Sequence, residues 1–305
     1  MKPEPAGKQT RITPEEMAAL EAGGGMLPEH GDRCIRVTRE DVAAAAKAVG
    51  IVPGDVVMFH SSMSSMGTVV GGADAVIDGF LDAVGPAGTV AVPTLCNWKP
   101  EEQHLVFNRW NSGTSPSVSG LISETLRQRP DAVRSDHATH SVAAIGARAA
   151  ELTASHGRGA PRRGPYGEKA FSQESPWERL SGWNAAYCFI GVTFRVCTMV
   201  HYVEALIAER ALRRAAPEAR ARLTQALAGW MTPGVWPDIR IDDRVIIEQM
   251  LAEQGIVRYG KIGSATLRCA RARPMVAQWL AIVERDPNRW LPKEFLDWLG
   301  RGRPS

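Results

Sequence analysis

Val56-Val57-Met58-Phe59-His60-Ser61-Ser62-Met63-Ser64-Ser65-Met66-Gly67, running on to Gly71-Gly72, is the stretch on which the fold turns. Four apolar residues follow the turn Pro53-Gly54-Asp55 and lead into a run of small hydroxyl residues, the pattern of a buried strand entering a loop. Residues 73–84 read as a helix, with Val76, Phe80 and Val84 along one face. Gly85-Pro86-Ala87-Gly88 turns the chain into a second apolar strand over 89–93. Strand, loop, helix and strand in about 40 residues make a βαβ unit and predict a parallel pair.

Outward from this unit the same signals continue. Thr38, with Glu40 and Asp41 behind it, caps a helix that Gly50 ends. Helices are predicted over 117–127, 147–153, from 176, and over 198–214, 240–255 and 274–285, with Pro217 ending or kinking one of them. Strands are predicted over 142–145 and 186–192, and residues 98–113 and 157–174 read as long loops. With no repeat and no low-complexity linker, the simplest account is one α/β domain, a central mixed sheet flanked by helices. It spans residues 36–295, after a variable extension (1–35, with a helix begun at Thr13) and before a short tail (296–305).

Composition narrows the function. The 305 residues carry 36 Lys and Arg against 33 Asp and Glu, a net charge of +3, too small and dispersed for a nucleic-acid surface. The apolar runs are far shorter than the roughly 20 residues of a bilayer helix, and residues 1–17 lack the apolar core of a signal peptide. Cys34, Cys96, Cys188, Cys197 and Cys269 form no CxxC pair and are odd in number. Reduced thiols in a cytoplasmic protein are expected.

Several groups could carry chemistry. The loop 60–67 offers hydroxyls and free amides ahead of a helix, suited to an anion, although neither a Walker loop nor GxGxxG is present. Asp136-His137-Ala138-Thr139-His140-Ser141 holds two histidines three apart, without the further ligands a metal site needs. His156 ends a helix and opens a long loop, a place for a general base or for plain polar surface. His201 and Glu204 share one helix face, as an active pair or as a helix-stabilising one. Cys96 follows a strand end, but nothing nearby marks it as activated.

Taken in order, these blocks resemble the aminoglycoside 3-N-acetyltransferases, the antibiotic N-acetyltransferase fold, which is distinct from the GNAT fold. The likeness runs from about Thr38 to Leu291. Residues 56–72 are similar to HSSLSSLG-x-V-x-GG, with Met63 and Met66 for the leucines. Residues 85–94 resemble VGPxGTLxxPT, and Ser115-Pro116-Ser117 with Gly120 and Glu124 resembles TPSxxGxxxE. Arg134 to Gly146 resembles RSxHPxxSxxAxG, Leu152 to His156 LxxxH, and Gly191 to Glu204 GxxxxxxTxLHYxE.

The resemblance implies transfer of an acetyl group from acetyl-CoA to an amine in a ternary complex, with a histidine as general base and no metal. By position that base is His156, with Glu174 or Glu204 as its carboxylate partner and His137 in the same cleft. Ser61, Ser62, Met63, Ser64, Ser65, Gly67, Val69 and Ser117 are expected to receive CoA, and Trp98, Ser141, His201 and Glu204 to line the acceptor side. The small-molecule amine is expected to be an aminoglycoside, acetylated on its 3-amino group. A non-aminoglycoside amine of natural-product biosynthesis, or a non-catalytic CoA-binding protein, are the alternatives.

Three departures bear on the substrate. Ala138 replaces a proline, LGExSP becomes Phe171-Ser172-Gln173-Glu174-Ser175-Pro176, and Arg158, Arg162 and Arg163 lie in the loop after His156. Between Cys96 and Asp131 the only acids are Glu101, Glu102 and Glu124, few for a polycation.

Overall fold

The computed structural model describes residues 29–96 and 105–302. Trp98, Glu101, Glu102 and the helix expected from Thr13 lie outside them. The strands are β1 (Arg36–Val37), β2 (Val56–Ser61), β3 (Thr68–Val69), β4 (Thr89–Pro93), β5 (Val133–Arg134), β6 (Val142–Gly146), β7 (Ala186–Ile190), β8 (Val257–Ile262) and β9 (Ala265–Arg271). Seven of them form one sheet in the order β5-β6-β4-β2-β7-β9-β8. The predicted β2–β4 pair is parallel, β2 and β7 are also parallel, and β6 and β9 flank this trio antiparallel.

Strand pleat explains the long apolar runs. In β2, Val57 and Phe59 belong to one core and Val56 and Met58 to the other, because successive side chains point to opposite faces. The first core is closed by α1 (Arg39–Ala48), α2 (Gly72–Val84) and α4 (Leu121–Gln128), the last preceded by the short α3 (Val106–Arg109). Thr38 caps α1 in a reciprocal box with Asp41, an arrangement worth about 1 kcal/mol. The second core is closed by α5 (Ala149–Thr153), α6 (Pro176–Gly182), α7 (Met199–Arg214) and α8 (Pro217–Ala228), then by α9 (Ile241–Glu253), α10 (Ala272–Arg285), α11 (Pro287–Trp290) and α12 (Lys293–Gly300).

The structure sharpens several local expectations. Pro217 lies three residues past the end of α7 at Arg214, where a helix-stop proline is expected, and it also opens a separate helix, α8, in whose first turn a missing N–H costs nothing. The helix predicted from Ser117 begins at Leu121, after Gly120 in the left-handed region (φ 106°), and the Ser117 N–H donates to Glu124 Oε2 instead. The β8–β9 hairpin was not anticipated. Residues 29–35, expected to be part of a variable extension, are packed on the body. Glu29 accepts from the Thr266 N–H and pairs with Arg268, and a Cβ on Gly31 would meet the Ser64 carbonyl at 2.2 Å.

Candidate active site

The carboxyl ends of β2, β4 and β7 lie side by side, the place where open α/β sheets bind ligands. A cavity of about 860 Å³ opens there. Ser61 to Ser64 line it after β2, Leu95 and Cys96 after β4, and Val192 and Arg195 to Thr198 after β7. Helix α7 starts at the end of this last segment and sends His201 into the same space.

His201 is the centre of the polar side. Its Nδ1 lies 3.0 Å from Glu204 Oε2, one helical turn on, and 3.3 Å from Asp238 Oδ1. Glu204 is fully buried, and its Oε1 accepts the Ile239 N–H at 2.6 Å. That bond ties the α8–α9 connection to α7 and delivers Asp238. Trp236, just before it, is held against Trp230 and Phe295. Burial alone would lower the His201 pKa, but the Asp238 and Glu204 carboxylates outweigh it and raise the pKa to about 9. Burial, reinforced by Asp238, raises that of Glu204 against the pull of His201; Asp238 is held low despite burial, chiefly by His201. With Nδ1–H donated to Glu204 and Asp238 Oδ1 close beside it, Nε2 is the nitrogen left for cavity chemistry.

The other sequence-predicted catalytic residues are elsewhere. His156 is 4% exposed, does not line the cavity, and uses both ring nitrogens. Nε2 faces the Ala170 carbonyl at 3.0 Å, so it carries the proton; Nδ1 therefore accepts the Ser135 hydroxyl at 2.8 Å. Burial lowers its pKa to about 4. A nitrogen already donating to a carbonyl, or accepting from a buried hydroxyl, does not take a proton from a substrate, so the positional assignment of the base to His156 is not supported by its surroundings. Glu174 is exposed and makes no contact with His156 or His201; of the two carboxylates weighed, Glu204 meets a histidine, and that histidine is His201. His137 is buried and stacked on His156 at 4.8 Å, its Nδ1 accepting the backbone N–H groups of Thr139 and His140. Ser141 is buried against Thr94 and Arg134, not in the cavity.

The anion loop divides in the same way. Ser61, Ser62, Met63 and Ser64 face the cavity. Ser65 is buried and donates to the Ser62 carbonyl, Gly67 packs on residues 32 and 35, Val69 joins the core, and Ser117 braces the approach to α4. Across from Ser61, Ser119 and Gly120 bring the N-terminus of α4 to the cavity, where helix amides favour an anion. Apolar Leu95, Val106, Val118 and Leu121 complete this wall. Hydroxyls and amides beside an apolar channel fit a phosphorylated pantetheine chain.

His201, Glu204 and Asp238 also have the chemistry of a metal-ligand set, their ligand atoms lying within 4.8 Å of one another. A cation on Nδ1 would have to displace the proton shared with the carboxylates, so the arrangement reads first as a held histidine.

Comparison with known proteins decides the family. The family model described as aminoglycoside 3-N-acetyltransferase matches residues 58–284. The chain belongs to the aminoglycoside 3-N-acetyltransferase family. It is 30% identical over 285 residues to aminoglycoside N(3)-acetyltransferase VII of Streptomyces paromomycinus, covering 83% of this chain and 93% of that one. The crystal structure of aminoglycoside acetyltransferase AAC(3)-Xa matches with a TM-score of 0.61 and 27% identity over 88% of this chain and 96% of that one. AAC-IIIb, solved in a binary complex with CoASH, shares the fold at 22% identity and a TM-score of 0.61, over 82% and 97% of the two chains. This acyltransferase family explains the order of the sequence blocks.

Within this family member, several cavity or cavity-edge residues escaped sequence reading, Tyr166, Asp238 and Arg244 among them. Tyr166 lines the cavity 5.3 Å from the His201 ring, in the left-handed region at φ 63°, a conformation rarely paid for by an aromatic residue outside a site. Asp238 and Arg244 come from the α8–α9 connection and the first turns of α9. Two of the arginines that the sequence did single out are engaged elsewhere: Arg162 is buried in ion pairs with Glu178 and Glu209, and Arg163 pairs with Glu168.

Proposed function

We propose that this protein transfers the acetyl group of acetyl-CoA directly to a primary amine, with His201 as the general base. The observation that carries this reading is the His201 ring, its Nδ1 held by Glu204 and Asp238, in the cavity that the Ser61–Ser64 loop also lines. Acetyl-CoA supplies an activated acyl carbon; Ser61 to Ser64, Ser119 and Gly120 are the residues to hold it. The acceptor nitrogen becomes strongly acidic as its bond to that carbon forms, and His201 Nε2 takes the proton; the C–S bond then breaks, the CoA thiolate departs, and the proton passes from the imidazolium to that thiolate, leaving the amide, free CoASH and neutral His201. A base with pKa near 9 is only about 1% free at pH 7, but it is well matched to an alkylammonium of pKa about 10. The two carboxylates then balance the imidazolium.

Direct transfer is favoured over an acyl-cysteine route. Cys96 reaches the cavity, but burial pushes its thiol up more than Arg134 brings it down, so it is a poor nucleophile. The relatives are named for aminoglycosides, which makes aminoglycosides the first acceptors to test. The assay is thiol release from acetyl-CoA. It should occur only with an amine present, show no burst without one, and survive Cys96→Ala; thiol release at equal rate with and without amine would overturn the reading.

A further inference from the structure

The cavity wall has an unusual charge balance. Besides His201, which Glu204 and Asp238 balance from behind, the charged side chains that line it are arginines, Arg195 and Arg244, and among the described residues no carboxylate does. Arg195 pairs with Asp242. Arg244 is different. It is 6% exposed, its Nε donates to the Ile239 carbonyl and its Nη1 to the Arg195 carbonyl, each at 3.3 Å. Among the described residues no carboxylate reaches it within ion-pair distance, and Nη2 has no protein acceptor, although it is not sealed from the cavity. A buried guanidinium held rigidly by two backbone carbonyls, with its remaining edge toward a ligand cavity, is a preorganised fork for an oxyanion.

We propose that Arg244 receives a carboxylate or phosphate group carried by the amine acceptor. The inference rests on the acetyl-transfer reading above and names the class of acceptor it serves: an amine with an anionic group a few bonds from its nitrogen, in place of a polycation. Position assigns the fork to the acceptor and not to CoA. Ile239, whose carbonyl holds Arg244, gives its N–H to Glu204, the partner of His201. Arg244 is therefore linked through the single residue Ile239 to Glu204, the carboxylate that holds the base, and it lines the same cavity as Tyr166, Pro233 and Gly234. A role confined to balancing Glu204 and Asp238 would need charge alone and not the planar fork.

The test uses matched amines in the thiol-release assay: β-alanine against β-alaninamide, glucosamine 6-phosphate against glucosamine, and kanamycin as the polycation. The wild type should prefer the anionic member of at least one pair by 10-fold or more in kcat/KM. That ratio should collapse toward one in both Arg244→Met and Arg244→Lys, since lysine keeps the charge and loses the fork, while the KM for acetyl-CoA stays within threefold. Calorimetry of the same amines on the CoA-saturated protein gives the comparison without turnover. Three results overturn the proposal: no preference for an anionic amine, a ratio unchanged in Arg244→Met, or a variant that raises the KM for acetyl-CoA instead. Efficient kanamycin turnover with no anionic preference would sink this inference and leave the acetyltransferase reading standing; no thiol release with any amine would sink both.

Discussion

His201 and His156 are both buried histidines, yet the protein treats them in opposite ways. Around His201 it gathers two carboxylates on one nitrogen and leaves the other nitrogen to a cavity. Around His156 it gathers a hydroxyl and a carbonyl, satisfies both nitrogens, and packs His137 against the ring. The first environment stabilises the charged form, with a pKa near 9; the second forbids it, with a pKa near 4. A histidine is thus marked as a base by what its second nitrogen is free to do, and its place in a motif does not decide this.

The comparison can be broken most forcefully by acid. His60, His137, His140 and His156 are all buried and held neutral by desolvation, His60 with a pKa of about 3. The unfolded chain protonates such groups below about pH 6.5 and the native state does not, so acid favours unfolding. Between pH 6.5 and 5 each should cost about 2 kcal/mol, a large part of a typical stability of 5–15 kcal/mol. Urea titrations across this range should show the midpoint falling steeply, and a flat profile would contradict the neutral cluster. His201 runs the other way: its contribution is complete below about pH 6.5 and is lost as pH rises through 9.

A smaller, sharper effect is expected at Glu204. Glu204→Gln keeps the shape and an acceptor for Ile239 but removes a charge from His201, and kcat should fall roughly 100-fold. On the other side of the comparison, Ser135→Ala leaves His156 Nδ1 and the Val142 N–H without their shared partner. It should cost about 1–3 kcal/mol of stability and change kcat less than twofold. The smallest effect belongs to Asp238→Asn, which removes one of two carboxylates and should move the rising, acid-side limb of the kcat/KM profile, set by deprotonation of His201, toward neutral by roughly one pH unit.

How much of this was legible depended on sequence distance. The βαβ unit, the capped α1 and the shared face of His201 and Glu204 are local patterns, and each was readable. The β8–β9 hairpin was not, although Gly263-Ser264 is a turn signal, because β8 is a polar edge strand whose residues 258–261 are largely exposed. The site failed where its parts are far apart. His156 is fixed by Ser135, 21 residues earlier, and by Ala170, 14 residues later, so its burial has no local signature. Asp238 and Arg244 arrive through a Trp-, Pro- and Gly-rich connection whose place is set by Trp230, Phe295 and one bond to Glu204.

The central claim is that His201 and not His156 is the base, and single-residue replacement measures it directly. His201→Gln and His156→Gln should be compared in one amine-dependent thiol-release assay, each at matched folded fraction. The account predicts a 10²- to 10⁴-fold loss of kcat for His201→Gln and a change below about threefold for His156→Gln. Near-normal turnover by His201→Gln, with loss confined to folded His156→Gln, would contradict it.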